Sequence, residues 1–221
     1  MKIEKEMRFY FSEKSLDEVA GKLRKNYKYL HSYYEITTMY DNPNPELTFY
    51  SKEIDGRLRL RCSRATTVSS FGEVSSGDFD DSQCLVTWKR RIPTGRHGGI
   101  MREEEIEYKV TPEESESVKA IFEDVLKCKR VSSYERIRSF LSTDFVQITC
   151  DQFPYGLMIE FELKGNLDEG ILIEEIQKIG LDSSNASNMS CDDMYRELCL
   201  EQGVTLLSDI KFDDITMPKI K

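Results

Sequence analysis

Apolar and polar residues alternate with a period of two over most of the chain. In IEKEMRF, residues 3 to 9, Glu4, Glu6 and Arg8 fall on one face of a strand, and Ile3, Met7 and Phe9 share the other with Lys5. The same pattern predicts strands over SYYEITTMYDNP, RLRLRCSR, QCLVTWKRRI, MREEEIEYKV, YERIRSFL, FVQITCDQF and LMIEFELKG. ELTFYSKEIDG reads as one more strand, turning into RLRLRCSR at Asp55-Gly56 as a hairpin. Helical spacing takes over in four places. SEKSLDEVAGKLRKNY opens on Ser12 or Ser15 followed by acids and sets Leu16, Val19, Ala20 and Leu23 along one stripe. TPEESESVKAIFEDVLK starts with Thr111 as N-cap and Pro112 at the first helical position. LDEGILIEEIQKIGL and CDDMYRELCLEQG complete the set. ATTVSSFGEVSSGDFDDS, about 65 to 82, is rich in Ser, Gly and Asp and predicts a mobile loop or lid. Strands outnumber helices that are too irregularly placed for a doubly wound sheet, so the expected class is antiparallel α+β.

The polar faces carry charge sorted by sign. Arg57, Arg59 and Arg61 oppose Leu58, Leu60 and Cys62; Thr87, Lys89 and Arg91 oppose Val86, Trp88 and Arg90; Arg136 and Arg138 oppose Ile137. Glu105 and Glu107 oppose Ile106 and Tyr108, Gln147, Thr149 and Asp151 oppose Ile148 and Cys150, and Glu160 and Glu162 oppose Ile159, Phe161 and Leu163. A solvated sheet face with cross-strand ion pairs, each contributing about 0.2 to 1 kcal/mol, is the plain explanation. It does not explain strands that are wholly acidic beside strands that are wholly basic. A closed barrel with a charged interior and an apolar exterior packed against helices does. Magnesium prefers a few carboxylate oxygens together with phosphate oxygens and water, and arginine matches phosphate with two parallel hydrogen bonds. The ligand such an interior predicts is a metal-bridged polyphosphate.

Bulk properties narrow the field. With 221 residues and 39% hydrophobic content the chain is expected to form a single domain over 1 to 221. A net charge of -9 argues against non-specific binding to nucleic acid or to an anionic membrane. MKIEKEMRFYF lacks the apolar run of a signal peptide, and no stretch approaches the roughly 20 apolar residues of a membrane span, so a soluble, cytoplasmic protein is expected. The six cysteines form no C-x-x-C pair, and reduced thiols are expected, with neither a zinc cluster nor a disulfide framework. His31 and His97 have no partner at metal-ligand or triad spacing, so carboxylates, lysine and arginine must carry any reaction. The oligomeric state is left open.

In its ordered set of charged strands the chain resembles the CYTH family of triphosphate tunnel metalloenzymes, which includes tripolyphosphatases, thiamine triphosphatases, class IV adenylyl cyclases and related RNA triphosphatases. The family's opening E-x-E-x-K is matched by Glu4, Glu6 and Arg8, with arginine in place of lysine. Its L-R-x-R strand is matched by Arg59 and Arg61, T-x-K by Lys89, E-x-E by Glu105 and Glu107, and K-x-R by Arg136 and Arg138. CDQFPYGLMIEFE matches the closing block with Asp151, Glu160 and Glu162, and MYRELCLEQG with DIKF resembles the ending of bacterial-type members.

The resemblance implies a closed eight-stranded antiparallel tunnel with helices outside, and a metal-dependent triphosphatase using Mg²⁺ or Mn²⁺. The implied metal ligands are Glu4, Glu6, Asp151, Glu160 and Glu162, with Asp151 as a ligand or an orienting group. The implied substrate-binding residues are Arg8, Arg57, Arg59, Arg61, Lys89, Arg91, Glu105, Glu107, Arg136 and Arg138, and the implied catalytic residues are Glu6, Lys89 and Arg138. The substrate would be a triphosphate-bearing small molecule or an RNA 5′ end. A class IV cyclase converting ATP to cyclic AMP and pyrophosphate, and a non-catalytic polyphosphate-binding module, are the alternatives. One departure stands out: where the family has arginine two positions before the first glutamate of EIE, this chain has Glu103; either a β-bulge re-aims Arg102 into the gap or the charge balance of that wall changes.

Overall fold

A computed structural model describes residues 2–50, 55–66, 82–92 and 99–221. The strands are β1 (Lys2–Phe11), β2 (Lys28–Asp41), β3 (Gly56–Ala65), β4 (Ser82–Arg91), β5 (Met101–Val110), β6 (Lys129–Ser142), β7 (Val146–Phe153), β8 (Gly156–Leu163) and the short β9 (Asp209–Ile210). The helices are α1 (Leu16–Asn26), α2 (Pro112–Ala120), α3 (Glu169–Lys178) and α4 (Cys191–Gln202). Strands pair in the order β2-β3-β4-β5-β1-β8-β7-β6, and β6 pairs back onto β2. Those eight strands close an antiparallel barrel, and β9 adds a parallel fragment beside β6. The fold is α+β, with the helices outside.

Closure inverts the usual distribution of greasy and charged residues. Outward-facing Met7, Phe9, Ile148, Ile159 and Phe161 pack with Leu23 of α1 and with Leu172 and Ile176 of α3. Each large side chain buried there contributes on the order of 1.5 to 3 kcal/mol relative to exposure. Leu58, Leu60 and Cys84 pack under Phe122, just beyond α2. Tyr195 and Leu198 of α4 meet Met39, Tyr134 and Met158, which share the inward parity of the charged residues, so α4 covers one end of the tunnel. Helices α2, α3 and α4 begin where short polar side chains satisfy free backbone N–H groups, whereas Ser15 before α1 makes no such bond. Thr111 and Ser190 each complete a reciprocal capping box. Helix α4 ends on Gly203 at φ 64°, a left-handed conformation that costs glycine little.

Two expectations need correction, and one open alternative is decided. Among the described residues the hairpin turning at Asp55-Gly56 does not form, because β3 pairs with β2 and β4; residues 51–54 of its expected first strand lie outside those described. Asp41 instead accepts hydrogen bonds from the Asn42 and Phe49 amides and the Thr48 hydroxyl, folding 42–49 into turns, and Tyr50 meets Asp55 in an isolated bridge. Cys62 and Cys84 are bonded in a disulfide, against the expectation that all thiols are reduced; Cys128, Cys150, Cys191 and Cys199 are free. The two bonded cysteines are direct partners across β3 and β4, a proximity set by register. No bulge separates β1 from β5: the register runs unbroken from Lys2 opposite Glu105 to Glu6 opposite Met101. Arg102 therefore stays outside, 2.5 Å from Glu169, and Glu103 faces the tunnel. The predicted loop falls mainly on residues outside those described, as does His97. No described helix is long and apolar enough to cross a membrane.

Candidate active site

Strand parity carries both charged sets into the barrel, where they form two unlike clusters. On the side of β1, β5 and β8, Glu4 stands opposite Glu103, Glu6 opposite Glu162, and Arg8 opposite Glu160. The Arg8 Nε donates to Glu160 at 2.6 Å, while its Nη2 donates to Glu6 and lies 3.3 Å from Glu103. Lys89 reaches across from β4, with Nζ 2.6 Å from Glu4 and 3.3 Å from Glu105. Lys2 contacts Glu4 and Glu162 at 3.0 and 2.6 Å.

Acid is in surplus here. Burial, with repulsion from Glu160 and Glu103, holds the Glu6 carboxyl well above the usual carboxylate range despite Arg8. Burial and a hydrogen bond with Glu4 push Glu105 up to about 7. Burial opposes ionisation of Glu103 and Glu160 too, but Arg8, seconded by Lys89 at Glu103 and by Arg138 at Glu160, brings each down to about 2. Among the described residues one Glu6 oxygen, Oε2, has no hydrogen-bond partner.

On the side of β2, β6 and β7 the charges are matched. Asp151, fully buried, accepts from Arg138 Nε and Nη2 at 2.6 Å each and from Arg136 Nη1 at 3.0 Å. Glu35 accepts from Arg136 Nε at 2.6 Å and from the Ser63 hydroxyl at 2.9 Å. Burial would raise the Glu35 carboxyl, but Arg136, then Arg61 and Arg138, draw it down to about 2. Arg61 lies 3.8 Å from Glu35, too far for a hydrogen bond, and burial with neighbouring Arg136 lowers it to about 10. Arg59 Nε has no hydrogen-bond partner.

Between the clusters lies a cavity of about 50 Å³, bordered by Arg8, Arg59, Arg61, Lys89, Arg136, Arg138 and Glu160 and by Cys191 and Asp192 at the start of α4. It has room for a few water molecules. A second, mostly apolar cavity of about 420 Å³ shares Arg57, Ser190 and Asp192 with it and is walled by Tyr40, Tyr50, Tyr195 and Leu207. Burial raises the Asp192 carboxyl at this junction.

The structure thus brings Glu4, Glu6, Glu160, Arg8 and Lys89 together and sets Asp151 apart, between Arg136 and Arg138. Glu162 meets Lys2, Glu107 is exposed beside Thr87, and Arg57 and Arg91 pair with Asp55. Among the described residues no three His, Cys, Asp or Glu side chains already converge as a cation site. Sequence reasoning missed Glu35 and Asp192 and left open whether Glu103 or a re-aimed Arg102 would face the wall. Glu103 was in phase with Glu105 and Glu107 and readable on that ground, whereas Glu35 is a lone acid in an aromatic strand.

No family model and no curated protein matches the sequence. Solved structures match in fold. A Pyrococcus horikoshii protein, PH1819, is 21% identical with a TM-score of 0.61, over 90% of this chain and 99% of its own. A candidate adenylate cyclase from Vibrio parahaemolyticus is 13% identical with a TM-score of 0.58, over 87% and 97%. A Hippeastrum candidate adenylyl cyclase, described as having a dominant triphosphatase activity, is 14% identical with a TM-score of 0.57, over 92% and 97%. The chain shares the fold of these proteins, a closed antiparallel barrel.

Proposed function

We propose that the protein is a triphosphatase that binds a polyphosphate inside its tunnel and hydrolyses the terminal phosphoanhydride. The observation that carries this reading is one cavity at which buried Arg61 and Arg138 and half-buried Arg59 face Glu103 and Glu160, with Glu6 and Glu4 tied to that wall through Arg8 and Lys89. The carboxylate chemistry and the unpartnered Glu6 Oε2 suit Mg²⁺ or Mn²⁺, with Glu4, Glu6, Glu160 and Glu162 as the residues that would hold it. When bound, such an ion polarises a phosphoryl oxygen and acidifies water.

The remaining work falls to the chain. Arg59, Arg61 and Arg138 hold phosphate oxygens in fixed geometry. Asp151 orients Arg138 and Arg136 through hydrogen bonds already in place. Lys89 and Arg138 stabilise negative charge spread over the transferred group, which is the main demand of a loose phosphoryl-transfer transition state. The water oxygen bonds to the terminal phosphorus as the bridging P–O bond breaks, and its electrons leave with the shortened polyphosphate. The 420 Å³ cavity beside Arg57 and Asp192 supports an organic leaving group such as a nucleoside or an RNA 5′ end over bare tripolyphosphate. It also supports a second reading, a cyclase releasing pyrophosphate.

The test is a panel of tripolyphosphate, thiamine triphosphate, ATP and triphosphate-ended RNA, run with Mg²⁺ and with Mn²⁺ and resolved by product. Orthophosphate supports the triphosphatase, cyclic AMP with pyrophosphate the cyclase, and tight binding without turnover a non-catalytic module.

A further inference from the structure

The acidic wall already contains a cation of its own. Arg8 is 7% exposed, and its guanidinium sits among Glu6, Glu103 and Glu160, donating to Glu6 and Glu160. One guanidinium thus occupies two of the carboxylates proposed above to hold the metal ion. Lys89 is likewise committed to Glu4. An ion arriving alone must therefore displace a buried guanidinium from two carboxylates and leave it with Glu103, 3.3 Å away. Uncompensated buried charge is strongly unfavourable. An ion arriving with a polyphosphate meets a different balance. Arg8 also borders the small cavity shared with Arg59 and Arg138, so phosphate oxygens there give the displaced fork a new partner.

We propose that Arg8 is a resident counter-ion that competes with a divalent cation for Glu6 and Glu160 and yields only when a polyphosphate takes over its guanidinium, so that metal and polyphosphate bind synergistically. This deepens the triphosphatase reading and rests on it. The tunnel would be protected from filling with free metal, and the ion would enter as a metal–polyphosphate complex. By linkage, whatever factor the polyphosphate adds to metal affinity the metal adds to polyphosphate affinity.

The test is Mn²⁺ binding by titration calorimetry, with and without a methylene-bridged, non-hydrolysable tripolyphosphate, on the full chain and on Arg8→Met. In the wild type the analogue should raise Mn²⁺ affinity by about tenfold or more. In Arg8→Met, Mn²⁺ alone should bind about tenfold more tightly than to the wild type, and the synergy should shrink. Equal Mn²⁺ affinity in the two proteins, or undiminished synergy in the variant, overturns the proposal. Should Arg8→Met fail to fold by circular dichroism, Arg8→Lys takes its place. Its ammonium cannot bridge two carboxylates in a fixed plane, so Mn²⁺ alone should again bind more tightly than to wild type, and no gain overturns the proposal. Turnover on the substrate panel with equal Mn²⁺ affinities would defeat this inference and leave the triphosphatase reading standing. Tighter Mn²⁺ binding in the variant with no turnover on the panel would do the reverse.

Discussion

The two walls of the tunnel are built from the same residue types and end in opposite electrostatic states. Around β2, β6 and β7, both Asp151 oxygens and both Glu35 oxygens accept hydrogen bonds, three from arginine nitrogens onto Asp151 and one each from arginine and serine onto Glu35. Around β1, β5 and β8 the acids are divided: against burial, a hydrogen bond with Glu105 and the charge of Lys89 draw Glu4 down, and Arg8 does the same for Glu103 and Glu160. Glu6, Glu105 and Glu162 stay raised above the usual carboxylate range, and among the described residues Glu6 Oε2 has no hydrogen-bond partner. Matched buried charge fixes a geometry; surplus buried charge is an unmet demand for a cation. The first wall is read as the scaffold that aims arginines, and the second as the part that takes up a ligand.

Mutations should separate these roles. The largest effect on stability is expected from Asp151→Ala, which strands Arg136 and Arg138 and should cost about 3 to 5 kcal/mol by urea unfolding. Arg138→Ala should cost about 2 to 4 kcal/mol of transition-state stabilisation, read as kcat/KM on the best panel substrate. Glu6→Gln should abolish turnover yet cost less unfolding free energy than Asp151→Ala, because the amide keeps an oxygen for the Arg8 guanidinium and Arg8 keeps Glu160 as its partner. A large stability loss in Glu6→Gln, or none in Asp151→Ala, would erase the contrast between the walls.

Acidity sharpens the same contrast. The Glu35 carboxyl is lowered from 4.5 to about 2, so its contribution is fully present above 4.5 and is lost as pH falls through about 2. Glu35→Gln should remove on the order of 3 kcal/mol of pH-dependent stability across that window, measured by thermal melts from pH 5 to pH 2. The smallest effect is expected from Glu107→Gln at the exposed rim, within about 0.5 kcal/mol in stability.

How much was legible follows from what is local. Alternation along a strand is local, so the inward course of Arg59, Arg61, Lys89, Arg138 and Glu160 could be read from parity, and the sorting of sign by strand pointed to a closed interior. Pairing is non-local. Closure depends on β2 meeting β6, and the disulfide on Cys62 lying opposite Cys84 across a sequence separation of 22. The false hairpin arose because ELTFYSKEIDG looks strand-like, whereas the Asp41 side chain organises the residues that follow it through hydrogen bonds no hydrophobic pattern reveals. Glu103 stayed open because pairing is non-local: parity puts it inside, a bulge would have brought Arg102 there instead, and only the unbroken β1–β5 pairing decides between them.

The central claim is tested most directly by orthophosphate release from tripolyphosphate and ATP, measured with Mg²⁺, with Mn²⁺ and with a chelator, for the wild type beside Glu6→Gln. Orthophosphate from at least one substrate, dependent on the added ion and lost in the folded variant, is the predicted result. No orthophosphate from either substrate with either ion, or release that persists in the chelator and in Glu6→Gln, would contradict the account.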